Sequence, residues 1–127
     1  MLKENSMKIL YITILFILFS SMSIAHADNE LTQTDLNQAA SQSYKSSDFM
    51  LNKAYSQLMG ALDKERQNKL KISQRAWIKF RDYEAELISS AYAGGSISPL
   101  IQARALTELT NQRTSQLTKL YLIEITP

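Results

Sequence analysis

The sequence predicts an all-α fold, an elongated up-down-up three-helix antiparallel bundle, and three observations carry that prediction. Its 127 residues include only three glycines and two prolines, so long stretches run without a residue that interrupts a helix. Apolar residues recur across those stretches at intervals of three and four, the period of an amphipathic helix. No segment alternates apolar and polar residues between turn signals, as a half-buried strand does.

The first segment reads as a targeting signal rather than part of the fold. Lys3 and Lys8 precede the apolar run Ile9 to Phe19, and Ala25-His26-Ala27 follows. A charged start, a short apolar stretch and an A-x-A site make residues 1–27 a cleaved signal peptide, with the processed domain at residues 28–127. Met7 serves equally as a start, since Met7-Lys8 makes a more compact opening. The rival reading, a retained membrane anchor, meets a run well short of the roughly 20 apolar residues a spanning helix needs. The processed chain is therefore expected to be periplasmic or secreted, with no stable membrane anchor.

The first helix is expected from about Thr34 to Leu62, on the stripe Leu36, Ala40, Ser43, Ser47, Met50, Leu51, Ala54, Leu58 and Leu62. Its alanines and serines allow another helix to approach closely. Asp63 is placed to cap a second helix, with Glu65 favourable in its first turn. That helix ends at Gly94-Gly95, where glycine supplies a left-handed cap. Ser98-Pro99 reads as the N-cap and first residue of a third helix, on the stripe Leu106, Leu109, Arg113, Leu117 and Leu120. The first two helices each approach ~45 Å at 1.5 Å per residue.

Composition excludes several functions. The chain has no cysteine, and its one histidine, His26, lies in the segment expected to be removed. Disulfides, thiolate or imidazole metal sites and nucleophile–histidine pairs are thereby excluded from the processed domain. Removing Lys3, Lys8 and Glu4, two cations and one anion, lowers the formal charge from +2 to +1. Neither a nucleic-acid footprint nor an acidic steering field is present. No phosphate-cradling glycine loop or nucleophile elbow occurs. Glu84 lies two residues from both Asp82 and Glu86, so neither pair shares a helix face as a catalytic dyad requires. The chain is not expected to be an enzyme or to bind a cofactor.

The segment Gln74 to Glu84 is the most informative stretch, because it holds the only tryptophan, Trp77. At about 100° per residue, Leu70, Ser73, Trp77, Phe80, Glu84, Leu87 and Ala91 share one arc, making Trp77 and Phe80 core signatures together with Leu109. A glutamate on an apolar stripe is costly unless it is paired. Arg113 lies on the third helix's stripe, about 7 Å from Glu84 in depth when both are counted from the connecting turn. An inward polar layer of Glu84, Arg113 and Ser43 or Ser47, edged by Arg81, is expected. It reads chiefly as a buried ion pair that fixes helix register, and alternatively as a binding site. Two surface features stand beside it. Phe49, Met59 and Ile78 fall off the stripes, as ordinary exposed residues or as a partner surface. The turn Gly94-Gly95-Ser96-Ile97 is either a simple connection or an element that inserts into a partner's cleft.

These residues also resemble a known family. Thr32-Gln33, Leu36-Asn37, Tyr44, Asp48, Leu51-Asn52 and Tyr55 precede Gln74-Arg75-Ala76-Trp77, Phe80-Arg81-Asp82 and Glu84. Gly94-Gly95-Ser96, Pro99, Leu106, Leu109-Thr110, Arg113-Thr114 and Leu117 follow. In this order and spacing they are similar to the LprI-like lysozyme inhibitor family over nearly the whole processed chain. The resemblance implies an exported helical domain, some of whose relatives bind and inhibit lysozyme. It also implies a departure, for alanines stand at positions 39, 85 and 105, where relatives usually carry cysteine. The function so implied is non-covalent blocking of lysozyme-type muramidases. The alternative is a helical interaction module for another envelope protein, as an immunity or stress factor.

Overall fold

The computed structural model describes residues 30–126, so the expected signal peptide lies outside the described residues. Leu31–Pro127 forms one compact unit. Three helices make it up: α1, Gln33–Ala61; α2, Lys64–Ser90; and α3, Ser98–Ile125. No strand occurs among the described residues.

Local chemistry sets each helix start. Thr32 caps α1 with a reciprocal pair of bonds: its hydroxyl accepts from Asp35 N, and its own N–H donates to the Asp35 carboxylate at 2.9 Å. This capping box satisfies two of the backbone donors that a helix start leaves open. Asp63 caps α2 as expected, accepting from Arg66 N at 2.9 Å. Gln67 then joins the two helices, its side-chain amide donating to the carbonyls of Met59 and Leu62, both at 3.0 Å. The start of α3 differs from expectation. Pro99 does lie in its first turn, but Ser98 is the first helical residue and Ile97 holds the cap position without a side-chain bond. The Ser98 hydroxyl instead donates to Ser89 O at 3.4 Å, tying α3 to the end of α2.

The core is Leu51, Ala54, Leu58, Leu70 and Leu117, with Tyr55, Met59, Leu62, Trp77 and Tyr121 packed around it. Each fully buried leucine contributes about 1.5–3 kcal/mol. Most helix–helix contact is between α1 and α3, and α2 lies against α3. Small residues explain the first pairing. Ala40, Ser47 and Ala54 on α1 and Ala105 and Thr110 on α3 are all buried, and short side chains bring backbones close. Of the stripe expected on α1, Ala40, Ser47, Leu51, Ala54 and Leu58 are buried, whereas Ser43 and Met50 are exposed. Met59 packs against the core rather than forming a surface, whereas Phe49 and Ile78 are exposed.

The buried face of α2 is not the one that apolar periodicity selects. Leu70 and Trp77 are common to both tracks. Past Trp77 the buried track steps by four, through Arg81, Ala85 and Ser89. The apolar track through Phe80 and Leu87 is left outside, 53% and 67% exposed. Phe80 is thus not a core residue. Compact Ala85 and Ser89 admit α3 more closely than Phe80 and Leu87 would, and Arg81 finds partners that make its burial affordable. Leu109 is half-buried.

Candidate functional site

Trp77 organises the interior polar layer. Arg81, one turn further along α2, is 7% exposed. Its guanidinium lies 5.3 Å from the Trp77 ring centre and 5.6 Å from that of Tyr44 on α1. Nε and Nη2 both reach Asp82 Oδ1, at 2.9 and 2.8 Å, and Nη1 lies 3.5 Å from Asp48 Oδ1 on α1. Arg113 of α3 sits over the same tryptophan at 5.9 Å. Its Nε donates to Gln74 Oε1 at 3.0 Å, Nη2 to Ser73 Oγ at 3.0 Å and Nη1 to Gln116 Oε1 at 3.1 Å. Cation–π attraction and charge-assisted bonds together hold two cations in a partly dry space. Burial lowers the Arg113 pKa from its ordinary value, and burial pushes the Tyr44 phenol up against the opposing pull of Arg81.

This layer revises the expected one in four respects. Arg113 is held by neutral Ser73, Gln74 and Gln116 rather than by Glu84. Arg81 stands at the centre, not the edge. Ser47 is buried, but Ser43 is exposed and donates to Ala39 O of its own helix. Glu84 is half-buried and lines a separate groove with Ile88, Ile101, Arg104, Leu109 and Gln112. Sequence reasoning missed Gln74, the buried amide whose oxygen accepts from Arg113. Its position four residues after Leu70 was the available signal. The donors of both arginines are directed to neighbours within the chain, so the layer orients helices and offers little to an outside ligand.

The second candidate is the α2–α3 connection. Gly94 has φ +80°, a left-handed conformation that costs glycine little. It lies beyond the helix end at Ser90, not at a cap directly following the helix. A side chain at Gly95 would bring its Cβ within 3.3 Å of Tyr92 O. Gly95 N donates to that same oxygen at 3.1 Å, and Ser98 N donates to Gly95 O at 3.2 Å. Asn37 of α1 reaches across to the turn, its amide donating to Ser96 O at 3.1 Å. The turn is exposed yet tied at several points. Beside it, Leu36, Ala40, Ser43, Leu100 and Arg104 line part of a groove of about 690 Å³ between α1 and α3.

Neither place holds an acid–base pair or nucleophile, and no cluster of three metal-ligating side chains occurs among the described residues. No described helix is long and apolar enough to cross a membrane.

The family described as "Lysozyme inhibitor LprI" matches residues 24–117, and the chain belongs to that family. It is also 38% identical over 103 residues to an uncharacterised protein of Rhizobium meliloti (strain 1021), an alignment covering 71% of this chain and 74% of the relative. No solved structure matches the chain.

Proposed function

We propose that this chain is an exported, non-enzymatic inhibitor that binds lysozyme-type muramidases and blocks their cleft without chemistry. Membership of the lysozyme inhibitor family over residues 24–117 is the observation that carries the reading. The targeting features of residues 1–27 support export from the cytoplasm, to the periplasm where the cell has one. The helices run up, down and up. The ion pair of Arg66 with Glu124 at one end and the Ser98–Ser89 bond at the other support that order.

The blocking element is the turn Gly94-Gly95-Ser96-Ile97. It is narrow, presents backbone groups and a serine hydroxyl, and is tied down by Asn37, which limits the ordering cost of binding. A net charge of +1 provides no long-range attraction to a cationic enzyme. Binding therefore rests on shape and a few inserted groups, with an association rate in the ordinary range of about 10⁵–10⁶ M⁻¹s⁻¹.

The test is a cell-wall lysis assay with several lysozyme classes and the processed chain at micromolar concentration. Inhibition is expected for at least one class. Its absence for all of them sinks the inhibitor reading and favours a different envelope protein as partner. Ser96→Arg then examines the turn, because Asn37 binds the Ser96 backbone and not its side chain. A tenfold or greater loss of potency is expected, with helicity unchanged. Unaltered potency moves the contact surface away from the turn.

A further inference from the structure

The outward face of α2 carries apolar side chains that the rest of the domain does not cover. Ile72, Phe80, Tyr83 and Leu87 are 69%, 53%, 73% and 67% exposed. At about 100° per residue they fall with Ala76 inside an arc of about 80°. The buried track through Gln74, Arg81 and Ala85 lies nearly opposite. At roughly 200 Å² per large side chain, these four expose about 500 Å² per copy. That is towards the upper end of the largest patch on an ordinary monomer. With the flanking residues it approaches the ~800 Å² per partner of a standard stable interface.

Charge along the same helix selects the partner and its direction. From Lys64 to Arg81, α2 carries seven basic residues and one acidic residue; from Asp82 to Ser90 it carries three acidic residues and no basic one. A parallel neighbour of the same kind would set like charges side by side. An antiparallel one sets each basic half against an acidic half, and a two-fold axis makes one patch its own complement. With the axis between Phe80 and Tyr83, the sizes also match. Phe80 faces Tyr83 of the second copy, compact Ala76 faces Leu87, and Ile72 faces Ala91. Arg75, Lys79 and Glu86 share one flank of the stripe, so Glu86 of each copy falls between the Arg75 and Lys79 of the other.

We propose that the outward stripe of α2, centred on Phe80 and Tyr83, is a self-association surface that pairs two copies of this chain antiparallel about a two-fold axis. The pairing leaves the Gly94–Ile97 turn of each copy beyond the paired stretch. It does not depend on what the turn binds.

Sedimentation equilibrium on the processed chain, from micromolar to tens of micromolar, is the first test. A mass twice that of the chain is expected. Leu87→Glu should give the single-chain mass with unchanged helicity and melting, because this side chain is 67% exposed and lies outside the core. Lys79→Glu should weaken association at least tenfold, and Lys79→Glu with Glu86→Lys should restore it. The cysteine-free chain permits a direct reading of direction. Ala76→Cys mixed with Leu87→Cys should form a disulfide-linked pair on air oxidation, while neither variant alone should. A single-chain mass throughout the range overturns the proposal. So does a dimer that survives Leu87→Glu, or Ala76→Cys linking to itself as readily as to Leu87→Cys.

Discussion

Arg81 has a side chain 9% exposed, while its two carboxylate partners, Asp48 and Asp82, retain 42% and 55% of theirs. That asymmetry decides what substitutions do. Removing a carboxylate leaves Arg81 with the other one and with two aromatic rings, so Asp48→Asn should cost at most about 1 kcal/mol. Arg81→Ala loses both stacking contacts and the packing of a buried stem, and about 2–4 kcal/mol is expected. Arg81→Lys should recover little of it, since a lysine cannot stack or fork. Urea unfolding of the three variants gives that ranking. Arg113 offers a sharper contrast. A double-mutant cycle on Gln74 and Arg113 should show coupling of about 1 kcal/mol, while Glu84 and Arg113 should be additive. Coupling only to Glu84 would contradict the geometry. That Arg113 and Arg81 belong to a polar layer was legible in the sequence. The layer's pairing was not, because choosing Gln74 over Glu84 requires the rotation of α2 about its own axis.

At the scale of elements, helix number, approximate bounds and the Asp63 cap were legible, for each depends on residues within a turn of one another. Thr32 is a cap of the same local kind, and Thr32→Ala should cost about 1 kcal/mol by opening both bonds of its box. Two end contacts also set a pH response. Hydrogen bonds from the Thr32 side chain and backbone hold the Asp35 carboxyl below its ordinary value of 3.8. The bond from Arg66 does likewise for Glu124, whose ordinary value is 4.5. A carboxyl depressed in the folded state contributes stability above its unfolded value and loses it as pH falls through the folded one. Melting temperature should accordingly stay level above about pH 5 and fall on acidification, with no histidine after His26 to add a step near neutrality. Glu124→Gln should make the acid-side fall shallower. An unchanged slope would remove that pair from the response.

For the whole molecule, stability rests on a small core at the meeting of all three helices. Leu58 lies at its centre, 2% exposed, and Leu58→Ala should cost about 2–5 kcal/mol by thermal or urea unfolding. No disulfide supplements that core. Ala85 and Ala105 are buried and so contribute by close packing. Under the proposed binding through the turn, the low net charge means that the association rate should change less than a few-fold between low and physiological salt. A steep salt dependence would point to a charged contact surface instead of the turn.

The amino-acid sequence by itself determined the all-helical class, the three helices, the glycine turn between the second and third, and the family. Each follows from periodicity, local caps or motif order, which act over short distances along the chain. The tertiary structure decided which side of α2 faces inward. Apolar periodicity favoured Phe80 and Leu87, but burial depends on what the facing helices offer. Asp48 and Tyr44 on α1 supply partners for Arg81, and Ala85 and Ser89 make room for α3. Those gains come from residues far apart in sequence, so no local pattern could register them. The same choice left an apolar stripe in water, where a second copy of the chain can cover it.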